Sequence, residues 1–289
     1  MQDNYKRWSF LIFLSIIWGS SFILMKRGLE SFTAIQVGAL RVSIAATILL
    51  VFGFKHLKII SKKNILQLFL AGLLGNFLPA FLFAKAQTQL DSGITGILNS
   101  LVPLFTVVVG MYVFRIKVKG SQIIGIVIGL LGTIILIVKG SDINTDTDYF
   151  YVLFVVAATL SYSINSNLIK KYLNKEKALS ITVSAFSIFL LPALIILFNT
   201  GFFQEYTFQD TQNKSLMYIT ILAVVGTAIS VAIFNQLIKI SSPIFATSVT
   251  YLIPIVAIAW AVFDGESLHW MQFLGTAIIL SGVYLVNRR

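Results

Sequence analysis

Cysteine is absent, so neither disulfides nor thiol chemistry can operate in this protein. Histidine occurs only twice, at His56 and His269, both beside apolar stretches and without zinc-ligand spacing, which leaves little for a metal centre or an acid–base pair. Charge is scarce as well. Asp, Glu, Lys and Arg make up 11% of the chain against 57% hydrophobic residues, and the mean hydropathy is +0.89. Such a composition is wrong for an ordinary soluble fold and right for one solvated by lipid. The net charge of +11 does not read as a nucleic-acid face, because the cations sit singly or in small clusters between apolar runs.

What the chain has instead is apolar runs long enough to satisfy every backbone amide inside hydrocarbon. Charge-poor windows predict spans at 8–25, 34–53, 65–84, 93–114, 121–138, 149–169, 180–198, 215–237, 243–263 and 270–286. Lys6 and Arg7 before the first window resemble a signal peptide, but no small-residue cleavage site follows, so this segment reads as a retained helix. Sorting the cations into alternating loops puts most of them on one side: Lys6, Arg7, Lys55, Lys58, Lys62, Lys63, Arg115, Lys117, Lys119, Lys170, Lys171, Lys175, Lys177, Lys239, Arg288 and Arg289. Lys26, Arg27, Lys139 and Lys214 sort to the other. The positive-inside rule then places both termini in the cytoplasm of a multi-pass cell-membrane protein.

An internal repeat divides the chain. Gly75, Phe83 and Pro103 match Gly226, Phe234 and Pro254 at an offset of 151 residues, while Gly125 and Gly132 match Gly275 and Gly282 at 150. Trp18, Lys26 and Arg27 match Tyr162, Lys170 and Lys171 at 144. With five spans in each half, an odd number, the second half enters the membrane in the opposite sense. The expected fold is an all-α membrane protein of ten transmembrane helices in two inverted five-helix repeats, residues 1–140 and 149–289. Such repeats provide alternating access around a midplane site.

The residues that carry a family likeness are Trp18-Gly19-Ser20-Ser21-Phe22, Ser100-Leu101-Val102-Pro103-Leu104-Phe105, Leu252-Ile253-Pro254-Ile255 followed by Asp264-Gly265-Glu266, and the stretch from Gly275 to Gly282. Together they resemble the EamA branch of the drug/metabolite transporter superfamily, over about residues 8–286. The resemblance implies a ten-helix inner-membrane carrier with a central cavity, commonly exporting amino acids or related metabolites. Arg115 stands where the first half would match Glu266, a departure from the acid often found in such repeats.

Candidate site residues follow from polarity at membrane depth. Arg41 lies about eight residues, or about 12 Å, into the second span, where a guanidinium needs a partner or a wet cavity. It reads either as a cation for a substrate carboxylate or phosphate, or as a structural arginine satisfied by carbonyls. Trp18 with Ser21, and Tyr162 with Asn165, occupy equivalent stretches of the two halves and form either cavity walls or packing elements. Asn76, Asn99, Asn165 and Gln236 place amides in the spans, and Thr250 and Tyr251 form the patch matching Asn99 and Ser100; each must find a partner, water or ligand. Pro103 and Pro254 read as paired hinges or simple kinks. The Gly125, Gly129, Gly132, Gly275 and Gly282 series reads as close helix packing.

No Asp or Glu lies centrally in any span, which disfavours a proton-coupled exporter of cationic drugs. No catalytic constellation stands out, so an intramembrane enzyme is the unfavoured alternative. The expected function is a transporter without cofactor or metal, exporting an amino acid or small metabolite, with sugar, nucleotide-sugar or drug transport as the alternatives. Its partners are a small-molecule substrate and the lipid bilayer, not nucleic acid, and the assembly is a monomer or homodimer.

Overall fold

The computed structural model describes residues 2–59, 64–139, 146–263 and 270–287. The expected features at Lys62, Lys63, residue 140, Asp264, Glu266, His269, Arg288 and Arg289 lie outside the described residues. Among those described, every regular element is helical.

Among the described residues, seven helical segments are long and apolar enough to cross a membrane: Tyr5–Leu29, Ala34–Leu57, Ile65–Ala86, Ser92–Tyr112, Phe150–Tyr172, Ala178–Asn199 and Asp210–Ile240. They coincide with seven of the ten expected windows. At the other three, the apolar helical stretches Gly120–Gly132, Pro243–Val256 and Phe273–Gly282 are shorter.

The helices are α1 (Gln2–Leu29), α2 (Ala34–Gly53), α3 (Ile65–Gly72), α4 (Leu78–Ala86), α5 (Ser92–Leu98), α6 (Leu101–Tyr112), α7 (Gly120–Lys139), α8 (Asp146–Tyr172), α9 (Ala178–Asn199), α10 (Phe202–Glu205), α11 (Asp210–Ala223), α12 (Ser230–Ile240), α13 (Pro243–Thr247), α14 (Ile253–Phe263) and α15 (Trp270–Asn287). Local chemistry sets several boundaries. Thr33 and Gln36 form a reciprocal capping box that starts α2, with Gln36 N donating to Thr33 Oγ1 at 3.3 Å and Thr33 N to Gln36 Oε1 at 3.0 Å. Ser242 caps α13, where Pro243 occupies the first turn and so leaves one fewer orphan amide.

Four interruptions divide the long spans. Leu73–Phe77 and Val224–Ile229 are π-helical turns that begin at the 151-residue offset of the sequence repeat. The first precedes Pro79, which has no N–H for the Gly75 carbonyl and crowds it, so the helix widens there. In the second, hydroxyls accompany the widening: Thr227 Oγ1 donates to Leu222 O and Ser230 Oγ to Val225 O, both five residues back. The other two interruptions are a turn at Asn99–Ser100 before Pro103 and a 3-10 turn at Ser248–Tyr251 before Pro254.

Packing is by close approach of small residues, as expected where lipid removes any hydrophobic drive between helices. α7 lies along α15, and α2 along α9, while α4 and α6 pack on α8. A Cβ on Gly282 would sit 2.5 Å from Gly125 O, and one on Gly132 would sit 2.9 Å from Gly275 O. At these points backbone meets backbone. Two buried apolar clusters flank the middle of the molecule. One contains Phe22, Met25, Phe83 and Leu222; the other contains Leu11, Leu14, Leu168 and Leu237, and Trp18 packs against both.

Candidate substrate cavity

The four interruptions converge on one cavity. Its walls take Trp18, Ser21, Phe22 and Met25 from α1 and Arg41 from α2. Gly75 and Asn76 come from the first π turn, Gly226 and Thr227 from the second. Asn99 and Thr250 come from the two broken spans, Tyr162 and Asn165 from α8, Phe234 and Asn235 from α12, with Phe83, Val102 and Val231 completing it. Discontinuous helices suit this role because they free backbone polarity only where it faces a cavity rather than lipid.

Among the described residues Arg41 is the one ionic residue on the wall, and it is only 9% exposed. Its Nε donates to Thr227 Oγ1 at 2.8 Å, and the guanidinium also interacts with the Tyr162 hydroxyl. Among the described residues no carboxylate pairs with it. A buried cation without an anion is costly, so its most favourable complement is a ligand bearing negative charge. The amides supply the opposite polarity. Asn76, Asn99, Asn165 and Asn235 each keep a buried Oδ1 without a protein partner, while the Asn235 Nδ2 donates to Thr182 Oγ1 at 2.9 Å. Acceptors of this kind suit N–H or ammonium donors of a ligand.

The aromatic walls are fixed from both sides. Trp18 meets Phe234 edge-on with centroids 5.0 Å apart, and Phe83 stacks on Tyr162 at 5.8 Å. The Trp18 Nε1 is spent on Gly226 O at 3.0 Å, so the indole offers the cavity its ring rather than its donor. Glycine permits close approach at both π turns: a Cβ on Gly75 would lie 2.3 Å from Asn165 Nδ2, and one on Gly226 would lie 2.9 Å from Ser21 Oγ, so those side chains would have to move.

Of the residues singled out from the sequence, Trp18, Ser21, Arg41, Asn76, Asn99, Tyr162 and Asn165 lie on this wall; Gln236 and Tyr251 do not. Asn235, next to Gln236 in α12 after the π turn at Val224–Ile229, lies on the wall instead. Tyr251 turns away and packs with Ile97 and Ile279, while Thr250 faces the cavity; the tighter 3-10 turn there rotates the face. Pro103 and Pro254 each follow an interruption without lining the cavity. Thr227 escaped notice because a lone threonine in an apolar run carries no signal of its own.

The EamA-like transporter family matches this chain twice, over residues 6–138 and 149–288. Relatives over nearly the full length include the inner membrane transporter YedA of Escherichia coli, 27% identical over 96% of this chain and 89% of its own. The probable amino-acid metabolite efflux pump of the same organism is 25% identical over 93% and 91%. The probable terminal-alkyne amino-acid exporter of Streptantibioticus cattleyicolor is 23% identical over 96% and 92%. One solved crystal structure superposes with a TM-score of 0.71 at 14% identity, covering 96% of this chain and 95% of that one, a likeness of fold.

Proposed function

We propose, from the premise that this chain belongs to the EamA-like transporter family and is a membrane transporter, that its cavity is the substrate site of an exporter for amino acids or small carboxylate-bearing metabolites. The observation that carries the reading is Arg41, one guanidinium without a carboxylate partner among unpartnered amide oxygens and aromatic rings. A substrate carboxylate neutralises the cation, ammonium or N–H groups meet the amides, and an apolar side chain meets the rings. The names of two relatives, an amino-acid metabolite efflux pump and an amino-acid exporter, agree with that chemistry.

In this reading ten spans form two opposed five-helix halves, residues 1–140 and 149–289, that rock about the cavity with both termini cytoplasmic. Support comes from the two successive family matches, from π turns and broken spans at equivalent positions, and from the one-sided distribution of Lys and Arg. Among the described residues no acid lines the cavity, so this reading gives no part to proton coupling through a wall carboxylate.

The test is a flux panel in proteoliposomes comparing amino acids, sugars and lipophilic cations, with Arg41→Ala alongside. Export of amino acids or related carboxylates, lost in the variant, is the expected result. Flux confined to sugars or lipophilic cations, or flux untouched by Arg41→Ala, overturns the assignment.

A further inference from the structure

Hydroxyls on regular helices of this protein donate three or four residues back, as Thr159 does to Val156 O, Thr106 to Val102 O and Thr182 to Ala178 O. Thr227 differs. Within the π turn it donates to Leu222 O, five residues back, at 2.9 Å. A hydroxyl has one proton, and this one is committed, so toward Arg41 the oxygen can act only as an acceptor. It accepts from Nε at 2.8 Å, linking the second half's π turn to α2 of the first half across 186 residues of sequence.

We infer that Thr227 is a positioning residue for substrate: it holds Arg41 by Nε, so that the guanidinium presents its terminal Nη groups end-on to a carboxylate. The inference rests on the transport reading above. An arginine fork can grip a carboxylate side-on, through Nε and one Nη, or end-on through both Nη groups. With Nε occupied, the side-on grip is closed and the end-on grip remains, beside the Tyr162 hydroxyl that also meets the guanidinium. Gly226 beside it is what allows the turn to press against α1, where a Cβ would meet Ser21 Oγ, and the Trp18 bond to Gly226 O pins the same turn. Substrate charge is therefore read by a cation that one half supplies and the other half aims.

The experiment is counterflow of L-phenylalanine in proteoliposomes containing wild type, Thr227→Val or Thr227→Ser, with competition by L-phenylalaninamide, which lacks the carboxylate. Thr227→Val fills the same space but accepts no hydrogen bond. It is expected to raise the half-saturation constant for L-phenylalanine about tenfold at an unchanged maximal rate, the scale of one charge-assisted hydrogen bond. Inhibition by L-phenylalaninamide stays as in wild type, and Thr227→Ser restores the original constant. An unchanged constant in Thr227→Val, an equal weakening of amide and acid, or a serine variant no better than valine overturns the positioning role alone. A wild type that carries neither L-phenylalanine nor any other carboxylate overturns the transport reading and this inference with it.

Discussion

Replacing Arg41 by methionine separates what the guanidinium does for transport from what it does for folding. Methionine keeps much of the length and apolar bulk of the side chain and removes only the charge and its donors. In the folded protein the cation is 9% exposed, its Nε bonded to a neutral hydroxyl at 2.8 Å, with no acid paired to it among the described residues. Its desolvation is thus poorly offset, and removing it relieves that cost. Thr227 loses a donor but keeps its own proton on Leu222 O at 2.9 Å, so no new orphan donor is created. The detergent-solubilised variant is expected to melt no lower than wild type. Transport moves the other way. Two charge-assisted bonds to a carboxylate contribute about 3 kcal/mol, so carboxylate flux at limiting substrate falls about 100-fold. The assay pairs a melting curve with initial rates in proteoliposomes from the same preparation. A well-folded Arg41→Met protein that carries carboxylates at the wild-type rate refutes the role of Arg41. A marked drop in melting temperature instead makes the arginine structural.

Gly282→Ala places a methyl group 2.5 Å from Gly125 O and 2.6 Å from Gly129 N, backbone atoms that cannot turn aside. α7 and α15 must then separate, at about 1–3 kcal/mol, and a lowered melting temperature without loss of half-saturation by substrate is the expected outcome. Lys170 donates from Nζ to the carbonyls of Ile238, Lys239 and Ser241 at 3.2, 3.1 and 2.7 Å, closing the C-terminus of α12. Lys170→Met leaves those carbonyls without that donor and is expected to cost about 1–3 kcal/mol by denaturant titration. An unchanged midpoint there shows that other donors satisfy that helix end.

Much of this molecule is legible in one dimension because the bilayer imposes a simple rule: long apolar stretches become helices, since a helix satisfies its backbone amides within a single segment in hydrocarbon. That rule finds seven long spans at the expected places, and the glycines at 125, 132, 275 and 282 announce the contact between α7 and α15. It also draws attention to Arg41, Trp18, Tyr162 and three of the asparagines, because polarity in a span must be answered by something.

The tertiary structure decides what answers it. Polarity in a span points to Gln236, and the repeat points to the Thr250–Tyr251 patch, whereas the cavity wall takes Asn235, after a π turn, and Thr250, in a 3-10 turn, and leaves out Gln236 and Tyr251. Register after an interruption depends on how the chain widens or tightens there, a choice made by packing and hydrogen bonding rather than by apolar periodicity. The partner of Arg41 is set in the same way. Sequence alone requires that a buried guanidinium be satisfied; only the docking of the second half's π turn against α2 makes Thr227, 186 residues away, the group that holds it.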